Sequence, residues 1–317
     1  MSGRAGIAVT LGPCDDMRAE VFVRCAGPAA VTAGGPPRLV GTLVGPECRR
    51  ATTLPVTARL VDRGPPPAGA AAAGSLVARA VLTEPAFWTP DLPNLYRVEA
   101  RIEQGDTVVS SHALRIGLRR LGTRGRSFRL DGRRWVPRGV RIEAAAFDEE
   151  RLQSEAAAAV VVHPDDAVCG RADAAGVAVI AALDTAPSDA MAERIAAWAM
   201  HPAVVMAALP AEITAADAAA VAALVRGRKG TLQLGWIVDG SLPPPGLPAG
   251  IDWLAVTVGR DGLPHAAWRD AAPMLPLVAC GGSGGRSGCD PLQARLAAWL
   301  LAGAERPPWD WAGYLVW

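Results

Sequence analysis

The sequence predicts a chain in two parts: a β-sandwich over residues 1–122 and a trimmed TIM-like (β/α)8 barrel over residues 123–317. Two observations predict this multidomain class of β plus α/β. In the first part, short segments alternate apolar and polar residues, which is typical of half-buried strands. In the second part, eight short apolar runs alternate with amphipathic stretches, which is typical of parallel strands connected by helices.

Five segments of the first part have this strand-like alternation and are separated by Gly/Pro turns. They are Glu20–Val23, Arg38–Val44, Pro55–Val61, Ser75–Leu82 and Tyr96–Ile102. The segment Pro65–Gly74 is predicted to be a loop, because its three consecutive prolines block a helix and no capping residue precedes it.

The second part supplies the eight strands of the predicted barrel. They are Trp135–Val140, Ala159–Val162, Val177–Ala182, Val204–Leu209, Thr231–Val238, Trp253–Val258, Leu275–Cys280 and Gly313–Trp317. Helices are expected at Ala190–Met200, Ala215–Arg226 and Pro291–Leu301. At about 190 residues this barrel is small for its class. Its eighth run ends at Trp317, so no closing helix is expected.

Composition excludes several classes of protein. The chain has 317 residues, of which 50% are hydrophobic and 20% charged, so a wholly disordered chain is excluded. A formal net charge of +1 argues against a nucleic-acid-binding polycation. No uncharged apolar run is long enough to cross a bilayer, and residues 1–12 lack the apolar core of a secretory signal. Six cysteines without a CxxC pair indicate reduced thiols. A cytoplasmic location follows, with a position peripheral to a membrane complex left open.

Several strings, taken in order, resemble glycoside hydrolase family 2, the β-galactosidase and β-glucuronidase family. They are Phe87–Tyr96, Arg115–Arg119, Phe128–Gly132 with Pro137–Val140, Asp173–Val179, His201–Ala207 and Gly313–Trp317. The resemblance covers residues 75–317 and implies an immunoglobulin-like sandwich before a catalytic barrel. It also implies a sugar-binding jelly roll before the sandwich, for which this sequence has no counterpart.

The resemblance places Glu212 at the position of the acid/base carboxylate after strand four. Ala211 replaces the asparagine that precedes this glutamate in the family. The alternative for Glu212 is a solvated residue near the start of a helix. Retaining glycosidases need a second carboxylate as nucleophile, but the corresponding position at strand seven is Gly281, or Cys280 if the alignment moves by one residue.

Other signature residues of the family are also missing. The strand-two motif is lost in residues 156–164, and the strand-three glutamate corresponds to Ala181 or Ala182. An inverting mechanism would need another carboxylate about 6.5–9.5 Å from Glu212. Asp239, after strand five, is the one candidate.

Two further patterns have simpler explanations than catalysis. Residues 281–285 match G-x-S-x-G, but no histidine follows His265, so the order Ser, acid, His of a hydrolase triad is not possible. The same loop up to Gly288 could hold a phosphate before the helix Pro291–Leu301 but lacks the P-loop lysine.

The four histidines have no metal-site spacing, so no metal or cofactor is predicted. They are His112, His163, His201 and His265.

Two features suggest contact surfaces. Ten arginines make residues 115–141 basic, which indicates either solvated strand faces or a docking face for an acidic partner or an anionic membrane surface. They are Arg115, Arg119, Arg120, Arg124, Arg126, Arg129, Arg133, Arg134, Arg138 and Arg141. Four of the ten tryptophans, Trp299, Trp309, Trp311 and Trp317, lie near the C-terminus, where a missing helix would expose an apolar flank.

We therefore expect a catalytically inactive, glycoside-hydrolase-like protein that serves as a structural or interaction subunit of a larger assembly. The alternatives are a glycosidase that uses Glu212 as acid/base, and a carbohydrate-binding protein. Protein partners are expected, and nucleic acid is not.

Overall fold

The computed structural model describes residues 7–26, 35–63, 75–184, 189–270, 272–303 and 309–317. The predicted loop Pro65–Gly74 lies outside these residues. The chain divides into two compact units, Met1–Leu118 and Arg119–Trp317. Within the described residues, no helix is both long enough and apolar enough to cross a membrane.

The first unit is an antiparallel sheet of seven strands. They are β1 (Ile7–Cys14), β2 (Arg18–Ala26), β3 (Arg38–Glu47), β4 (Val56–Asp62), β5 (Ser75–Thr83), β6 (Leu95–Gln104) and β7 (Thr107–Ile116). Their order is β1-β2-β5-β4-β3-β6-β7, with β4 joining the two halves. The sheet curls, since Cys25 of β2 and His112 of β7 approach to 3.6 Å although their strands lie near opposite edges. This confirms the predicted immunoglobulin-like fold and its five predicted strands.

The family-like segment before β6 packs into the core of this unit. Trp88 and Tyr96 are among its largest fully buried side chains. The Tyr96 hydroxyl accepts a hydrogen bond from the Ala86 N–H at 2.8 Å, and burial raises its pKa. The Asn94 amide donates to the Phe87 carbonyl at 2.9 Å. The segment therefore buries aromatic area while its polar atoms stay hydrogen-bonded.

The second unit begins with a small antiparallel sheet of β8 (Leu121–Arg124), β9 (Ser127–Leu130) and β10 (Arg133–Trp135). A closed parallel barrel of eight strands follows, which confirms the predicted barrel. Its strands are β11 (Arg138–Arg141), β12 (Ala158–Val162), β13 (Val179–Ala182), β14 (Val204–Leu209), β15 (Gln233–Asp239), β16 (Trp253–Thr257), β17 (Leu277–Cys280) and β18 (Gly313–Val316). The predicted strand Trp135–Val140 is divided between β10 and β11, because Pro137 interrupts it.

Six helices accompany the barrel in the described residues. They are α1 (Glu149–Ser154), α2 (Asp166–Ala175), α3 (Asp189–Trp198), α4 (Ala215–Val225), α5 (Ala267–Asp270) and α6 (Cys289–Leu301). No helix forms between β15 and β16, where all of residues 240–252 are described and prolines at 243–245 and 248 block helical hydrogen bonding. The α5 helix is a single turn, so the barrel is trimmed as predicted.

The N-terminal end of the barrel is filled by aromatic side chains. The Trp253 indole packs edge-on against Phe128 of β9, with 6.4 Å between ring centroids. Gly235 provides the space for this indole, since a Cβ atom there would lie 2.2 Å from the ring. Arg126 donates to the carbonyls of Ala272 and Pro273 before β17. The small sheet thus closes this end of the barrel.

A buried arginine organises the same end. The Arg119 guanidinium donates to the carbonyls of Pro202 and Val204 at 2.5 and 2.7 Å and to the Thr231 hydroxyl at 3.1 Å. Burial lowers its pKa to about 10, and the Asp173 carboxylate opposes that shift. Asp173 contacts the His201 ring at 2.7 Å and accepts from the Ala203 N–H at 2.9 Å. We call Arg119, Asp173 and His201 the base network.

We predict that Arg119→Met lowers the free energy of unfolding of the barrel by about 3 kcal/mol or more. The substitution leaves a buried carboxylate without its cation and several buried carbonyls without donors. Urea unfolding measures the change. The matched control, Arg124→Met, removes an exposed arginine that has no partner among the described residues, and should change stability by less than about 0.5 kcal/mol. Equal stability of the two variants would contradict the prediction.

Candidate functional site

The C-terminal ends of the barrel strands, together with the residues that follow them, form what we call the mouth. In barrels of this class the loops at this end build the functional site. A cavity of about 340 Å³ lies here. It is lined by Arg141, Val160, Val162, Ala182, Leu183, Asp184, Pro210, Ala211, Glu212, Ile237 and Trp317.

Glu212 lies in the turn that follows β14, is exposed and lines this cavity. It stands outside the helix, because α4 begins at Ala215 and its N-cap is Thr214. Thr214 and Asp217 form a reciprocal capping box, so the helix start does not use Glu212. The glutamate is therefore free for other contacts, and its acid/base role stays a prediction.

Strand β17 brings no carboxylate to the mouth at the position of the nucleophile. A Cβ atom on Gly281 would lie 2.3 Å from the Val258 carbonyl oxygen, so the backbone is too close for a side chain. The Cys280 thiol is fully buried. Burial, with a smaller effect of the Cys289 thiol, raises its pKa well above the usual value, so the reactive thiolate is disfavoured.

Asp239, the predicted inverting partner, is exposed at the end of β15 but does not line the cavity. Its carboxylate accepts a hydrogen bond from the Ser241 N–H at 2.8 Å. Hydrogen bonds from the Ser241 backbone and side chain lower the pKa of Asp239. The second carboxylate that lines the cavity with Glu212 is Asp184, two residues after β13.

Asp184 belongs to a cluster that sequence reasoning missed. The His163 ring, directly after β12, contacts the Asp184 carboxylate through Nε2 and the Arg194 guanidinium of α3 through Nδ1. Arg194 can only donate, so Nδ1 accepts and Nε2–H donates to Asp184. His163 has a left-handed backbone with φ of +47°. The signal available in the sequence was the position of both residues directly after apolar strands.

The other sequence candidates fall outside this cluster. After Gly281, the loop continues through a 3-10 turn at Arg286–Gly288 into α6. There Asp290, which contacts Arg138 and Arg286, occupies the first helical turn, where an anion would bind. His112 contacts Cys25 and Ser110 in the first unit. The described residues contain no disulfide and no group of three or more potential metal ligands.

Part of each predicted contact surface is engaged within the chain. Of the basic stretch, Arg119, Arg120, Arg126, Arg134 and Arg138 all contact carbonyls or carboxylates of the second unit. Among the C-terminal tryptophans, Trp299, Trp309 and Trp311 are buried and pack on one another, with centroids 5.4–6.5 Å apart. Trp317 is 38% exposed and lines the cavity.

The fold, an immunoglobulin-like sheet with a parallel barrel, is that of the glycosidases the sequence resembles, and comparisons confirm the resemblance. Residues 53–119 match the model of glycosyl hydrolases family 2. A family 2 member from Bacteroides cellulosilyticus superposes with a TM-score of 0.69 at 17% identity, covering 98% of this chain and 43% of that one. No curated protein sequence matches this chain.

Two β-glucuronidases share the fold at still lower identity. The enzyme from Bacteroides uniformis gives a TM-score of 0.65 at 16% identity, covering 98% of this chain and 45% of that one. The enzyme from Ruminococcus gnavus, bound to D-glucaro-d-lactam, gives 0.65 at 13% identity, covering 98% and 60%. This chain therefore spans about half the length of the solved structures that it matches.

We predict that Gly281→Glu destabilises the chain by about 1–3 kcal/mol and creates no glycosidase, because the Cβ atom overlaps the Val258 carbonyl. Thermal unfolding measures the loss. The matched control is Gly285→Glu in the same loop, where a Cβ atom has nothing within 4 Å and should cost little. Unchanged stability of the Gly281 variant would contradict this account of the strand-seven position.

Proposed function

We propose that this chain is a catalytically inactive relative of the glycoside hydrolases that acts through contacts with other proteins, as a structural subunit of an assembly. Gly281 carries the proposal. Retaining hydrolysis needs two carboxyl groups about 5–5.5 Å apart, on either side of the scissile bond. The strand-seven position that would supply the nucleophile holds a residue without a side chain, and its surroundings leave no room for one.

Exposed apolar side chains on the loops after β15 and β16 support the contact role. Leu242 and Leu263 are 58% and 51% exposed. The two loops are joined by hydrogen bonds, from the His265 N–H to the Gly240 carbonyl at 2.7 Å and from the Trp268 indole to the Leu242 carbonyl at 2.8 Å. The two leucines therefore offer apolar area on connected loops, and its burial by a partner is favourable.

The proposal predicts the native size of the protein in gentle lysates of its source cells. The chain, at 32.8 kDa, should migrate with a larger and defined set of proteins. The double variant Leu242→Asp, Leu263→Asp should shift it toward the free size, because charges replace the apolar contact. The matched control is Leu224→Asp on α4, which is 51% exposed and should leave the complex intact. Migration of the wild-type chain as a free species would overturn the proposal.

A second candidate function, hydrolysis by Glu212, is favoured by one observation: Asp184 lines the same cavity. The two carboxylates follow neighbouring strands, β13 and β14, whereas the acid and the nucleophile or base of a glycosidase flank the scissile bond. Asp184 is also held by His163. This arrangement supports the non-catalytic proposal over the catalytic one.

We predict that the purified chain does not hydrolyse aryl β-galactosides or β-glucuronides faster than they hydrolyse in buffer alone. The Glu212→Gln variant should show the same rate as the wild-type chain. Release of the aryl group measures the reaction. Hydrolysis that is lost in Glu212→Gln and kept in Glu155→Gln, an exposed glutamate after α1, would establish the second candidate instead.

A further inference from the structure

Three charged side chains, those of Arg141, Asp184 and Glu212, line the cavity at the mouth. Within the described part of the chain, neither the Arg141 guanidinium nor the Glu212 carboxylate forms a hydrogen bond or an ion pair. A guanidinium and a carboxylate therefore line the same small space without neutralising each other. A ligand that carries both charges would satisfy them together.

Asp184 supplies a carboxylate whose position is fixed. His163 donates from Nε2–H to one carboxylate oxygen, and Arg194 fixes that tautomer from the other side of the ring. The backbone of His163 adopts the left-handed region, which is unfavourable for a residue with a side chain. Strain of this kind is typical of positions where a binding site is held in shape. The second Asp184 oxygen has no partner among the described residues and remains an acceptor.

The remaining walls limit the ligand to a small molecule. The cavity volume of about 340 Å³ lies at the lower end of the range for small-molecule pockets, about 300–1,000 Å³. Val160, Val162, Ala182 and Ile237 provide apolar walls, and Trp317 contributes an aromatic ring. Such walls suit a short hydrocarbon chain between two charged ends.

We propose that the mouth binds a small zwitterion, with its ammonium group at Asp184 and Glu212 and its carboxylate at Arg141. Arginine binds carboxylates through paired N–H donors, and an ammonium group donates to carboxylate oxygens. Neighbouring strands lie about 4.8 Å apart, so β11 and β13, which flank β12, have backbones about 10 Å apart. The reach of the Arg141 side chain sets the length of ligand that fits, so homologues of different length are compared. This inference stands independently of the proposed contact role.

Calorimetric titration of the purified full chain with 6-aminohexanoate tests the proposal, with glycine and 4-aminobutanoate as shorter homologues. Hexanoate and hexylamine each carry one of the two charges. We expect the best-fitting zwitterion to bind at least about tenfold more tightly than either singly charged analogue. Equal affinity for 6-aminohexanoate and hexanoate would overturn the proposal, as would tighter binding of neutral galactose, or no zwitterion bound at about 10 mM.

Variants separate the two ends of the site. Arg141→Gln and Glu212→Gln should each weaken binding of the zwitterion by about tenfold, because each removes one charge partner. The matched controls, Arg124→Gln and Glu155→Gln, remove exposed charges elsewhere and should keep the wild-type affinity. Equal weakening in the controls would show a net-charge effect and contradict the site. Titration of the isolated chain does not depend on a partner protein, so its failure is distinct from failure of the contact role.

Discussion

The buried Arg119 guanidinium is the interaction on which the barrel depends. An unpaired charge at this depth would cost several kcal/mol, so its position requires the Asp173 carboxylate and the carbonyls that receive its N–H groups. Those carbonyls belong to the start of β14 and the turn before it. Because Asp173 also binds His201 and the Ala203 N–H, one charge fixes the segments that enter two neighbouring strands.

The same constraint accounts for the family-like strings at this end of the barrel. Arg119, Asp173 and His201 each lie in a string that resembles the family, and all three act in the base network. These strings carry packing and charge pairing at the N-terminal end of the barrel. The loops at the mouth carry none of this network, so their residues can change the chemistry without changing the fold. A shared fold therefore does not show that two proteins catalyse the same reaction.

Much of this architecture follows from the sequence, and the exceptions have physical causes. Alternation predicts β2–β6, since one buried face imposes a period of two. Continuous apolar runs predict most barrel strands, because these are buried on both faces. Strands β8–β10 contain only three or four residues each, which is too short for periodicity to be recognised. Glu212 was found because it follows a strand at a family-like position. His163 lies 21 residues from Asp184 and 31 residues from Arg194 in the sequence. The three residues come together only in the folded chain, so no local spacing in the sequence predicts their contact.

The two ends of the barrel contribute differently to the stability of the native state. At the base, buried aromatic rings and a neutralised charge make the native state favourable. At the mouth, the left-handed backbone of His163 costs about 1–3 kcal/mol, which the Asp184 and Arg194 contacts help to offset. The His163 ring and its two charged neighbours therefore give the mouth a defined polar arrangement.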